Sequence, residues 1–143
     1  MSTKGTARPA YIGTDEPSLS GYYPKWMDSM ADDATLEGSL INGVIQGGAA
    51  VRSVVAAIRS LYDRQEHKFA GPIREKDFLE EYIAQVRGEP IGCVVLVTRN
   101  AAGQTQQVVA NYRPRSSLWL LSRLLRKRFA GTPYAEQFAA SES

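Results

Sequence analysis

Between residues 47 and 62, Val51, Val54, Val55, Ile58, Leu61 and Tyr62 recur at spacings of three and four, with Arg52, Ser53, Arg59, Ser60 and Asp63 facing the other way. That 3.6-residue period predicts an amphipathic helix with one buried stripe. Upstream, Tyr22-Tyr23-Pro24 opens a predicted short helix in which Trp26, Met27 and Met30 share an apolar side, since proline suits a first turn. Asp32-Asp33 closes it, residues 34–36 make a short strand, and Asn42-Gly43 and Gly47-Gly48 mark a bend before the long helix. The glycine pair reads as a tight turn in preference to an anion cradle, because no fuller phosphate-loop pattern surrounds it.

Downstream, residues 64–68 read as a polar surface connection and 69–72 as a short strand and turn. In 76–87 the positions Phe78, Leu79, Tyr82, Ile83 and Val86 match a helical period, while alternation also permits a strand. The valine- and isoleucine-rich run 91–97, the turn Asn100-Ala101-Ala102-Gly103 and the return 104–112 predict a β-hairpin. Arg113-Pro114 breaks it. A last helix over 116–129, capped by Ser116 or Ser117, carries a stripe of Leu118, Leu121, Leu125 and Phe129 opposite Ser122, Arg123, Arg126 and Lys127. Gly131-Thr132-Pro133 stops it.

A chain of 143 residues suits a single domain, here 22–138, with a flexible arm at 1–21 and a frayed tail at 139–143. No apolar run nears the roughly 20 residues needed to cross a bilayer, and the polar start lacks the core of a secretory signal, so a cytoplasmic location is expected. The single Cys93 excludes an internal disulfide, and with one histidine, His67, no metal site or cofactor is expected. Six of the 17 basic residues lie in the acid-free stretch 113–128, leaving 11 basic against 15 acidic elsewhere. A basic segment on an acidic body raises an anionic partner.

The segment Met30-Ala31-Asp32-Asp33-Ala34-Thr35-Leu36-Glu37, followed by a glycine-marked loop, the amphipathic helix and the turns at Gly88 and 100–103, resembles the SnoaL-like branch of the nuclear transport factor 2-like superfamily over roughly 22–112. The resemblance implies an α+β fold: helices packed on a strongly curved, mostly antiparallel sheet that forms a cone with an open-ended pocket, plus the C-terminal amphipathic helix. It also implies that 76–87 is a strand, against the helical period, and that a homodimer forms through the sheet. Ketosteroid isomerases of this type carry a base aspartate directly after the position of Glu37, where this chain has Gly38. Their second aspartate falls on Gly92, and their first-helix tyrosine falls on Thr14. No side chain at either glycine can move a proton, so that mechanism is disfavoured.

Two functions follow. The first is a pocket for a small, mainly apolar organic molecule, with or without lyase, isomerase or cyclase chemistry. Trp26, Met30, Tyr62, Tyr82 and Asn111 are its candidate ligand-binding residues, and Glu37 and His67 are weak catalytic candidates. Glu80 shares a strand face with Tyr82, and Arg113 lies near the expected mouth. The second is a non-catalytic dimeric interaction module whose basic helix 116–129 docks on a partner or an anionic membrane surface. Nucleic acid is not expected, because one basic helix without base-reading polar residues or a stacking platform is a poor footprint.

Overall fold

A computed structural model describes residues 16–140. Residues 1–15 of the expected arm 1–21, Thr14 among them, and the tail residues 141–143 lie outside the described residues. Six strands form one sheet in the order β2-β1-β6-β5-β4-β3, where β1 is Met30–Gly38, β2 Ile45–Gln46, β3 Tyr62–Pro72, β4 Asp77–Val86, β5 Glu89–Arg99 and β6 Thr105–Arg113. Among the described residues only β1 and β6 pair in parallel. Two helices complete the α+β fold, α1 (Gly48–Leu61) and α2 (Arg115–Arg128). Register shifts interrupt β1 against β6, β3 against β4, and β5 against β6. Such irregularities bend strands and increase their twist, which lets the sheet wrap α1.

The helical stripe of α1 is realised: Val51, Val54 and Ile58 are buried against the concave face. Its entry depends on two glycines. Gly47 has φ +105°, and a Cβ on Gly48 would lie 2.4 Å from the Ala31 carbonyl oxygen, so the pair makes a turn and a close approach to β1. On the concave face Glu80, Tyr82 and Ala84 of β4 stand opposite Val95, Cys93 and Ile91 of β5, which in turn face Ala110, Tyr112 and their neighbours on β6. α2 seals the other end. Leu121 and Leu125 are fully buried, Phe129 stacks on Phe138 at 5.8 Å, and Ser122 donates to the Leu40 carbonyl.

Several expectations are corrected. The aromatic segment is only a 3-10 turn over Lys25–Asp28, and Met30 already begins β1, which runs on through Asp32 and Asp33. Pairing with β6 at Met30 and from Thr35 onward outweighs the local helix signals there, with a register shift at the intervening residues. Residues 64–68 belong to β3 and are no surface connection. The stretch 76–87 is the strand that the family resemblance implies, against its helical period, which arises because Leu79 and Ile83 lie on the face opposite Tyr82 and Val86. Neither Ser116 nor Ser117 caps α2. Its N-cap is Pro114, and Ser117 Oγ donates to the Pro90 carbonyl. Among the described residues no helix is long and apolar enough to cross a membrane.

Candidate functional site

The concave face, α1 and the segment before β1 enclose a hollow of about 30 Å³ bordered by Trp26, Ile58, Arg59, His67, Glu80 and Tyr82. That is room for roughly two waters and well below the roughly 300 Å³ at which ligand pockets begin. Its character comes from β3 and β4, whose register places His67 beside Tyr82 and Ala70 beside Glu80. Glu80 is 2% exposed. Its Oε2 accepts from Tyr22 Oη at 2.6 Å and from Trp26 Nε1 at 3.2 Å, while Oε1 lies 3.7 Å from His67 Nε2. Burial alone would raise the carboxyl, but the neighbouring His67 imidazole and the hydrogen-bond donors Tyr22 and Trp26 outweigh it and hold Glu80 below the usual glutamate value, as an anion.

His67 is 8% exposed, and its Nε2 has no hydrogen-bond partner. A 3.7 Å separation is too long for a hydrogen bond. The imidazole is held between two rings, Tyr22 at 4.8 Å and Tyr82 at 5.3 Å. Behind it, Tyr82 and Tyr62 share a 2.6 Å hydroxyl contact, with Tyr112 and Cys93 on the adjoining strands. Burial raises all three phenols and pushes the Cys93 thiol up to about 12, so the tyrosines remain neutral and the cysteine is an inert core residue.

One side of the hollow is closed by the segment before β1. Leu19 N donates to the His67 carbonyl at 2.8 Å, Ser18 Oγ donates to Glu66 at 2.7 Å, and Lys68 Nζ reaches the Glu16 carbonyl at 3.0 Å. These bonds lay residues 16–19 along β3 and bring Tyr22 and Pro24 over the pair. Arg59 stands at the border, its Nη1 3.2 Å from Met27 Sδ and its guanidinium 6.0 Å from the Tyr23 ring centre.

Of the residues singled out from sequence, Trp26, His67 and Tyr82 border this hollow, joined by Glu80. Tyr62 reaches it only through the Tyr82 hydroxyl. Met30 is buried beside Gly48, and Asn111 is exposed, accepting from Ser39 N. Glu37 accepts from Gln107 Nε2 at 3.2 Å and borders a separate hollow of about 10 Å³. His67 is buried, against the surface position that its polar neighbours suggest, because strand alternation turns it inward while Arg64 and Lys68 hold Glu66 outside. Tyr22 and Arg59 are additions. Tyr22 sits in a segment without periodicity, and its only signal is an aromatic beside Trp26.

The first isomerase position is closed to any side chain as well as lacking an acid. Gly38 has φ +144°, and a Cβ there would lie 1.9 Å from the Ala110 carbonyl oxygen, so no side chain fits. Gly92 pairs with Ile83 and Arg113, on the face opposite Cys93 and Tyr82, and a Cβ would press on the Arg113 guanidinium at 2.9 Å. Among the described residues no three metal-ligating side chains converge.

No protein-family model and no curated protein matches the sequence. Solved structures do. An uncharacterised protein with a cystatin-like fold from Silicibacter pomeroyi aligns at TM-score 0.69 and 18% identity over 74% of each chain. A steroid delta-isomerase from Pseudomonas aeruginosa aligns at TM-score 0.68 and 14% identity, over 75% of this chain and 79% of that one. A hypothetical protein with a ketosteroid isomerase-like fold from Catenulispora acidiphila, solved with trimethylamine, aligns at TM-score 0.50 and 12% identity, over 68% and 85%. At these identities the likeness concerns the backbone, and the chain has the cystatin-like α+β cone of nuclear transport factor 2-like and ketosteroid isomerase-like proteins.

Proposed function

We propose that the chain binds a small, mainly apolar organic molecule in the concave hollow, its polar end at His67 and Glu80 and its apolar part against Ile58, Val95 and Val108. The observation that carries this reading is the buried imidazole whose Nε2 has no partner, 3.7 Å from a carboxylate that is itself buried. Such a pair is costly compared with apolar residues of the same volume, so a cavity kept only for packing would not need it. Because the hollow is small, a ligand beyond a few heavy atoms enters by loosening residues 19–24. Fold neighbours that include a steroid isomerase and a trimethylamine complex span neutral and cationic compounds, which leaves the choice to the side chains.

The His67–Glu80 pair can also move a proton, which keeps lyase, isomerase or cyclase chemistry open without the isomerase acids. A 1H–15N NMR titration with isobutanol tests the binding reading. Shifts confined to residues around Trp26, His67, Glu80 and Tyr82 are expected, and unchanged spectra at high millimolar alcohol would remove it.

A second reading has its own support. Between α2 and residues 130–140 runs a broad groove of about 860 Å³ bordered by Arg87, Leu124, Arg126 and Lys127. It suits an anionic partner or membrane surface, with the convex sheet face, where Phe69 is exposed and Leu79 and Leu96 are half-buried, serving a homodimer. Co-sedimentation with phosphatidylserine vesicles, lost in Arg126→Glu/Lys127→Glu, would support the membrane version, and no co-sedimentation of the parent chain would end it.

A further inference from the structure

The hollow holds one anion and no closed ion pair. Glu80 Oε2 is occupied by Tyr22 and Trp26, and Oε1 is left facing His67 across 3.7 Å, beyond the roughly 2.8 Å of a charge-assisted hydrogen bond. His67 Nε2 is more than nine-tenths buried with the rest of its side chain, has no partner, and borders the same space. Three aromatic side chains, Tyr22, Trp26 and Tyr82, surround the pair. We propose that the polar end this site accepts is a protonated amine, so that its ligands are small alkylammonium compounds; this deepens, and rests on, the ligand-binding reading above.

Each candidate chemistry meets the same set of groups. An ammonium N–H can donate to Glu80 Oε1 and to His67 Nε2 together, which neutralises the buried carboxylate and satisfies the orphaned nitrogen. Its N-bound carbons lie among aromatic rings, whose negative faces favour a cation, most strongly where water is excluded. A carboxylate ligand would be repelled by Glu80, because the one other charged group on the lining, Arg59, is turned to Met27 and Tyr23. A neutral alcohol can hydrogen-bond to one of the two groups and leaves the charge unbalanced. The small volume sets the size: a compact head with a short branched chain lying on Ile58, Val95 and Val108.

Isobutylammonium chloride and isobutanol, nearly equal in shape, separate charge from shape when titrated into the full-length chain at neutral pH and matched chloride, followed by 1H–15N NMR. At least tenfold tighter binding of the ammonium is expected, falling to within about twofold of the alcohol in Glu80→Gln. Should that variant not fold, nuclear Overhauser contacts between the ammonium methylene and the Trp26 indole of the native chain replace it; their presence supports the site and their absence overturns it. Equal or weaker binding of the ammonium, or a preference kept in a folded Glu80→Gln, overturns the cation assignment while binding of the alcohol leaves the pocket standing. No binding of either compound removes the pocket and this inference together.

Discussion

The two ends of the concave face are closed by different means. At the α2 end, Leu121, Leu125, Phe129 and Phe138 are buried in an apolar plug flanked by the bonds of Ser122 to the Leu40 carbonyl and Arg126 to the Phe138 carbonyl, although Trp119 Nε1 on the same helix is buried without a hydrogen-bond partner. At the other end, the cover is an irregular segment held by side-chain bonds to β3 and β4, and beneath it lie a buried carboxylate and an imidazole with an orphaned nitrogen. One end is built for stability. The other gives up stability for polar groups that packing does not require, which is where a ligand finds both space and chemistry.

The largest effect tests the plug. Leu121→Ala deletes a fully buried side chain with no exposed route to collapse, and a loss of about 3 kcal/mol by urea unfolding is expected. A loss below about 1 kcal/mol would show that this end is no more rigid than the other. Next, the two polar partners are separable by a double-mutant cycle. His67→Leu alone leaves the buried Glu80 carboxylate against an apolar side chain and is expected to cost about 2 kcal/mol, whereas His67→Leu with Glu80→Met removes the carboxylate but leaves Tyr22 and Trp26 without their acceptor and is expected to be no less stable than the single variant. A double variant less stable than the single one would mean that the pair supports the fold, and the contrast between the ends would fail.

The same carboxylate makes a pH prediction. Its folded value lies below the unfolded one, so its contribution is complete above the ordinary glutamate value and is lost as pH falls through the depressed folded value. Acid unfolding of the native chain is therefore expected to be steeper than that of Glu80→Gln, and parallel curves would contradict it. Tyr22→Phe removes one hydrogen bond to the carboxylate, with an expected cost of about 1 kcal/mol and faster amide exchange at residues 16–24. Exchange at α2 should not change. The smallest effect is expected of Arg126→Ala, where a half-exposed cation meets an exposed Glu136 and one carbonyl, with a change within about 1 kcal/mol by thermal melting.

The elements that the sequence makes legible are those whose burial is one-sided. α1 shows its stripe because one face meets the core and the other meets water, α2 keeps Leu121 and Leu125 in the core but also buries Ser122 from its expected polar side, and the hairpin of β5 and β6 shows its turn at 100–103. β4 is ambiguous because Leu79 and Ile83 are apolar residues on the less buried face while Glu80 stands on the buried one, so the sequence alternation is blurred although from Glu80 onward the burial alternates at all positions but Ile83. β3 is hidden by its composition, since Arg64, Glu66 and Lys68 face outward in ion pairs while Gln65 and His67 turn inward. Within the site, Trp26 and Tyr82 could be named in advance as large aromatics near one another in the expected cone. Glu80 could be placed only on the same strand face, and Tyr22 not at all, because its role depends on a segment folded back across β3 from 58 positions away in sequence.

By itself the sequence determined which surfaces need burial: two amphipathic helices and a valine-rich hairpin. Periodicity carries that information because each pattern follows from the local geometry of its own element. Tertiary structure alone decided that Glu80, His67, Tyr22 and Trp26 meet, that Gly38 has no room for any side chain, and that the hollow is small and polar on one wall. Those outcomes depend on strand register and sheet curvature, which are set by contacts between residues far apart in the chain, and no window of sequence contains them.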